Sequence, residues 1–146
     1  MRTPRAILVC WGPVTLWMVV IFMFSTELFA SANTTPFLAP WLANLLPEIS
    51  AEAIEFVVLG IRKLGHWSEY FILAVLLMRA LNADFFSEHA KRVFWSIVLA
   101  TLYAATDELH QSFVPSRSAS VIDVAIDSFG AVCGTLCFHL RNRRSN

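Results

Sequence analysis

Three short segments gather most of the side chains able to do chemistry: KLGHWSEY (63–70), DELHQ (107–111) and RSASVIDVAID (117–127). His66 stands three residues before Glu69, a spacing at which a carboxylate on the same helix face orients an imidazole as a general acid/base pair. Taken singly, His66 or Glu69 also reads as an interhelical tie to Asp107 or Gln111. Five acids, a histidine and three basic groups together exceed what structural ties need inside a greasy chain. Asp107, Glu108, Asp123 and Asp127 could bind a hard divalent cation, and His66 would admit a softer one such as zinc. No H-E-x-x-H or comparable ligand spacing is present, so no metal or other cofactor is assigned and a divalent cation stays the minority alternative. Arg62, Lys63 and Arg117 are the natural counter-charges; with Glu69, Asp107, Glu108, Asp123 and Asp127 the formal sum is three minus five, or minus two. Arg117 follows Pro115 in FVPSR and could either clamp a phosphate or carboxylate with its planar fork or neutralise Asp123 or Asp127. No serine or cysteine has a recognisable partner for covalent catalysis.

The chain around these groups has 146 residues, 57% hydrophobic and only 15% charged, with a mean hydropathy of +0.60. That composition is an integral membrane protein, and the length is one compact domain spanning 1–146. Formal net charge is zero, which removes the basic bulk that nucleic acid would require. Cys10, Cys133 and Cys137 fall inside apolar runs and read as small core residues.

Ala6 to Phe24 is an uncharged run of 19 residues. As a helix it is about 28 Å long, matching a hydrocarbon core of about 30 Å. MRTPR and the later Ala30-Ser31-Ala32 imitate a signal peptide, but the apolar run exceeds the usual h-region, which favours a retained anchor. Further apolar runs at Tyr70–Leu81, Val93–Ala105 and Ala119–Leu140 predict an all-α protein with four transmembrane helices, at about 6–24, 66–82, 93–112 and 119–140. The second and third runs are too short alone, so their helices must extend through the polar residues.

Between the first and second spans, Ser25–Ser50 reads as an outer interfacial or half-helix segment. Its FLAPWLANLL is expected to lay Trp41, Leu42, Leu45 and Leu46 along the interface as a lid. Ser50 is an N-cap for a helix whose Ile54, Val57, Val58 and Ile61 form an apolar face, with Gly65 permitting a bend. Orientation follows from charge. With the N-terminus in the cytoplasm, Arg2, Arg5, Arg79, Lys91, Arg92, Arg141, Arg143 and Arg144 lie inside, against Arg62, Lys63 and Arg117 outside. Both termini are then cytoplasmic, in a multi-pass protein, and the polar set belongs to the outer half.

At about 100° per residue, Lys63, His66 and Tyr70 share one face, with Glu69 beside His66. Asp107 and Gln111 are i,i+4 partners with His110 close by, and Glu108 points about 100° away. Asp123, Asp127, Gly130 and Gly134 form one stripe, in which the acids run into a G-x-x-x-G that lets helix backbones approach in a membrane. The stripe predicts that these acids face a neighbouring helix rather than lipid, building an outward-opening polar pocket.

FMFS after the first span, RKLGHWSEYFIL, and ATDELHQSFVPSRSASVIDVAIDSFGAVCG together resemble the VanZ-like family of small bacterial membrane proteins, named for a teicoplanin-resistance protein. The resemblance runs over nearly the whole chain. It implies Lys63, His66, Glu69, Tyr70, Asp107, Glu108, Gln111, Arg117, Asp123 and the Gly130 region as signature positions, in the bacterial inner membrane. The chain departs from it at Asp127, where many members look to carry Asn.

Residues and resemblance together lead to a polar pocket that acts on, or binds, an outer-leaflet amphiphile such as a lipid-linked cell-envelope precursor, with a possible link to glycopeptide resistance. His66, Glu69, Asp107, Glu108 and Asp123 are the candidate acid/base residues, and Lys63, Tyr70, Gln111, Arg117 and Asp127 the candidate binding residues. A non-catalytic head-group or antibiotic-binding module is the alternative, and a proton or cation pathway a weaker third.

Overall fold

A computed structural model describes residues 3–84, 88–115, 117 and 119–143. Among them lie five α-helices and one 3-10 turn and no strand: α1 (Pro4–Phe24), the turn Glu27–Phe29, α2 (Ser31–Leu45), α3 (Ala51–Asp84), α4 (His89–Gln111) and α5 (Val121–Arg143). Arg2 and Arg144, counted above as cytoplasmic charges, lie outside the described residues.

The helix starts follow local chemistry. Thr3 caps α1 by accepting from the Ala6 amide at 3.4 Å, and Pro4 takes the first turn, where its missing N–H costs nothing. Ser50 accepts from the Ala53 amide at 3.3 Å at the head of α3, as its position predicts. From there α3 runs 34 residues unbroken through Gly65. It is therefore about 51 Å long, so its first part projects beyond the predicted span.

Two of the helices, Pro4–Phe24 and Val121–Asn142, are long and apolar enough to cross a membrane. The expectation of four is met by composition at these two. Exposed side chains such as Leu8, Leu16 and Val19 on α1 and Phe129, Leu136 and Leu140 on α5 give the bundle the apolar exterior of a membrane protein. Cys137 is exposed on that exterior and Cys10 and Cys133 are partly so, which corrects their assignment to the core.

α3 is the central element, packing on α1, α2, α4 and α5, most extensively on α5. The core beneath the polar end is built from Tyr70, Leu73, Ala74 and Leu77 of α3, Val14 and Ile21 of α1, and small residues at Ala100, Ala104 and Ala131. Small residues matter because in lipid no hydrophobic force drives helices together, and close backbone packing must do so. Hydroxyls stitch the same interfaces: Ser96 donates to the Ala74 carbonyl at 3.1 Å and lies 3.2 Å from the Thr135 hydroxyl. Tyr103 donates to the Met18 carbonyl at 2.7 Å, and Trp17 to the Glu69 carbonyl at 2.9 Å, tying α1 to α4 and α3. A second cluster seats α2 on the first half of α3 through Leu42, Ile54 and Val58. Leu42 is thus buried in the protein rather than along an interface, whereas Trp41, Leu45 and Leu46 are exposed as expected. Ile61 is also exposed, so the apolar face of early α3 is narrower than its spacing suggested.

Gly130 and Gly134 are where α5 meets α3. A Cβ at Gly130 would lie 3.1 Å from the Trp67 carbonyl carbon and closer still to its oxygen, and one at Gly134 would lie 3.0 Å from that of Phe71. Gly12 and Gly60 face nothing within 4 Å. The same substitution should therefore have opposite signs. Gly60→Ala should be neutral or stabilising by up to about 1 kcal/mol through helix propensity. Gly130→Ala and Gly134→Ala should each destabilise by about 1–3 kcal/mol through overpacking, read as melting temperature of the purified protein in detergent.

Candidate functional site

Above the two glycines the α3–α5 contact continues, but with ionisable partners. One turn beyond the Gly130–Trp67 approach, His66 Nδ1 faces Asp127 Oδ1 at 3.5 Å, and beyond that Lys63 pairs with Asp123. The parallel register, 71 with 134, 67 with 130, 66 with 127 and 63 with 123, follows from the spacing of the stripe itself. The imidazole is faced by Asp127 on α5, and not by Glu69 of its own helix as the i,i+3 spacing implied.

The end of α4 supplies a second group. Asp107, Glu108 and Gln111 are all buried at 4% exposure, although Glu108 was expected to point away. They are buried because each finds a different neighbour. Asp107 Oδ1 accepts from the Ser25 hydroxyl at 2.5 Å and its Oδ2 from the Gln111 amide at 3.0 Å. Glu108 turns toward α5 and accepts from the Ser120 amide at 2.8 Å. His110, close to these on the helical wheel, stacks instead on Phe22 of α1 at 4.6 Å.

Arg117 neutralises neither Asp123 nor Asp127. Its guanidinium donates to Gln111 Oε1 at 3.1 Å and to the Phe24 carbonyl at 2.5 Å, fixing the α4–α5 loop over the end of α1. Burial, and then the nearby Arg62 charge, lower the Arg117 pKa from its ordinary value. Two guanidinium groups held near each other away from bulk water favour an anion between them.

A recess of about 330 Å³ opens beside them. Arg62, His66, Glu69 and Arg117 supply its charge, Ser25 and Thr34 its hydroxyls, and Phe24 and Leu38 its apolar edges. α2 thus forms one wall. Arg62 Nη1 and Arg117 Nε are buried and have no hydrogen-bond partner in the protein. Counting His66 as neutral, the lining carries two positive charges and one negative, a formal plus one, where the eight charged groups of the sequence sum to minus two. Of the acids only Glu69 shares the lining with the two arginines, while Asp107, Glu108 and Asp127 are buried beneath it.

The candidate residues therefore fall into layers. His66, Glu69 and Arg117 line the recess; Asp107, Glu108, Gln111 and Asp127 are buried; Asp123 is held by Lys63. Tyr70, expected to bind, is fully buried in the core with its ring 6.3 Å from that of Tyr103, and its hydroxyl has no partner. His66, Glu108 and Asp127 each present one ligand atom within 4.8 Å of the others, the cluster among the described residues able to hold a metal ion. Sequence reasoning missed Thr34, Leu38 and Phe24, and treated Arg62 only as a counter-charge. Ser25 carried a signal, as the polar side chain that ends the uncharged run of nineteen residues.

Comparison with known proteins adds one finding. The family model described as VanZ/LLP1 matches residues 10–142, which includes every candidate residue above. No curated protein and no solved structure matches the chain.

The Ser25–Asp107 bond is open to direct test. Ser25→Ala leaves Asp107 Oδ1 without its donor in a buried position and should cost about 1–3 kcal/mol in detergent melts. Ser128→Ala, which removes only a hydroxyl bonded to its own helix at the Val124 carbonyl, should stay within about 0.5 kcal/mol of the parent.

Proposed function

The chain belongs to the VanZ/LLP1 family, and on that premise we propose a multi-pass bacterial inner-membrane protein that binds the anionic head group of an outer-leaflet amphiphile. A lipid-linked cell-envelope precursor is the substrate class with the right chemistry, an apolar chain ending in phosphate. In this reading α3 and α4 cross the membrane beside α1 and α5. At 34 and 23 residues they are about 51 and 34 Å long, enough to span. The acids that spoil their hydropathy, Glu69, Asp107 and Glu108, point into the bundle rather than toward lipid. Arg5, Lys91, Arg92 and Arg141 sit at the bundle end opposite the recess, which by charge bias makes that end cytoplasmic and holds both termini there.

The observation that carries the head-group reading is the pair of arginines in the recess wall with N–H groups that nothing in the protein accepts from. Phosphate oxygens meet that need in number and charge. His66, with Asp127 behind it, and Glu69 are placed in the same wall for proton transfer at a bound head group. A proton or cation pathway is less well supported, since Leu73, Ala74 and Leu77 continue below the site as packed apolar core. Changing or masking a surface head group is also the route by which such a protein would alter glycopeptide access.

The test is binding and conversion by the purified full chain. Arg62→Gln and Arg117→Gln should each weaken saturable binding to vesicles bearing a phosphate-terminated polyisoprenyl lipid by about 10- to 100-fold, the worth of one or two charge-assisted hydrogen bonds. His66→Ala should retain binding but stop any change in head-group mass during incubation. Unaltered affinity in both arginine variants would sink the proposal; tight binding with head-group masses constant in the parent protein would reduce it to a binding module.

A further inference from the structure

We propose that His66 Nδ1, Glu108 Oε1 and the Asp127 carboxylate form a binding site for a divalent transition-metal ion of the zinc or manganese class. The three residues come from α3, α4 and α5, and their ligand atoms lie within 4.8 Å of one another. Small side-chain adjustments bring atoms so placed to the roughly 2.0–2.2 Å at which imidazole nitrogen and carboxylate oxygen bind zinc.

A cluster of acids is common, and what sets this one apart is the set of bonds left unmade. Asp127 is 0% exposed and neither of its oxygens has a hydrogen-bond partner; Glu108 is 4% exposed and its Oε1 has none; His66 Nδ1 has none. Four ligand-type atoms on three residues are thus buried and unsatisfied, and one ligand atom from each residue lies within 4.8 Å of the other two. Each would cost about 1–3 kcal/mol left that way, and more for a charged group. Several neighbouring polar groups are already engaged elsewhere. Glu108 Oε2 accepts from the Ser120 amide, which fixes the carboxylate with Oε1 turned to the cluster. Asp107 is taken by Ser25 and Gln111, Asp123 by Lys63, and Arg117 by Gln111 and the Phe24 carbonyl.

The alternative is a lone imidazolium–carboxylate pair between His66 and Asp127. At 3.5 Å that contact is longer than a charge-assisted hydrogen bond, and it leaves Asp127 Oδ2 and Glu108 Oε1 with nothing. A divalent ion answers all four atoms at once and balances charge, two carboxylates and a neutral imidazole summing to minus two. One nitrogen with carboxylate oxygens selects a borderline transition metal over calcium or magnesium, which prefer all-oxygen shells. Three protein residues leave room in the shell, and His66 carries the site to the wall of the recess.

The experiment uses the full chain in detergent, stripped with a chelator and titrated separately with Zn²⁺, Mn²⁺ and Mg²⁺ without lipid, so that its outcome is independent of the head-group reading. The expected result is about one Zn²⁺ or Mn²⁺ per chain by elemental analysis after gel filtration, with a rise in melting temperature that Mg²⁺ does not reproduce. Asp127→Asn and His66→Ala should each weaken binding by roughly a hundredfold or more, and Co²⁺ in the parent should give d–d absorption without a thiolate band. Replacing Cys10, Cys133 and Cys137 together by Ser should leave the stoichiometry unchanged. Absence of stoichiometric Zn²⁺ and Mn²⁺ in the well-folded parent would overturn the proposal, as would binding that survives Asp127→Asn or vanishes with the three cysteines.

Discussion

Gly130 and Gly134 bring the α5 backbone against the carbonyls of Trp67 and Phe71, and the arrangement of the polar groups depends on that approach. A side chain at either position would hold the helices apart. The next two turns of α5 would then present Asp123 and Asp127 to a gap, where neither Lys63 nor His66 could reach them. An ionised carboxylate deep in a bilayer costs on the order of 2.5 to 3.5 kcal/mol on insertion scales, so separating the helices would leave two such costs unrelieved. Packing and charge are one constraint here. The residues that permit close contact and the residues that need it lie on the same stripe of one helix.

A second consequence is the separation of charge by depth. The acids Asp107, Glu108 and Asp127 are withdrawn beneath the recess, and Arg62 and Arg117 stand at its wall. A fully acidic pocket would repel every phosphate that approached it. Placing these carboxylates one layer down leaves the recess wall with a net positive lining, in which Arg62 Nη1 and Arg117 Nε have no acceptor within the protein. The polar ties that create this layering are short and local: Ser25 to Asp107, Gln111 to Arg117, Ser120 to Glu108. Each joins the end of a helix to another helix end or to the α4–α5 loop, so the site is assembled from helix termini and that loop around the one continuous helix, α3.

Much of this was legible in the sequence because helical periodicity is a strong signal when charge is rare. The Asp123–Gly134 stripe, the extension of α4 through Gln111 and the Ser50 cap all follow from spacing. Partner choice was not legible. His66 has Glu69 at i,i+3 in sequence but faces Asp127 in space, because the α3–α5 register is set by the glycines, which lie on the other helix. For Arg117 the sequence left a ligand clamp and a tie to Asp123 or Asp127 both open; its loop places it over the carboxyl end of α1, within reach of the Phe24 carbonyl. The net sign of the recess could not be read by summing charges either, since burial removes some groups from the lining and leaves others.

The last element to place is α2, which carries no candidate residue and yet forms a wall of the recess through Thr34 and Leu38. Its inner side is held to α3 by Leu42, while Phe37, Trp41 and Leu45 are exposed. In water an exposed phenylalanine and tryptophan on one short helix would be a liability; at a bilayer surface they are anchors, because the rings settle at head-group depth. Pro36 and Pro40 inside α2 each withhold an amide donor, leaving carbonyls that must find water or lipid head groups, which again suits an interfacial helix better than a spanning one. If α2 lies at that depth, the recess it walls is level with the head groups of the surrounding leaflet. An amphiphile could then present its phosphate to Arg62 and Arg117 while its chain stays among the lipids, and the protein would need no cavity for the tail.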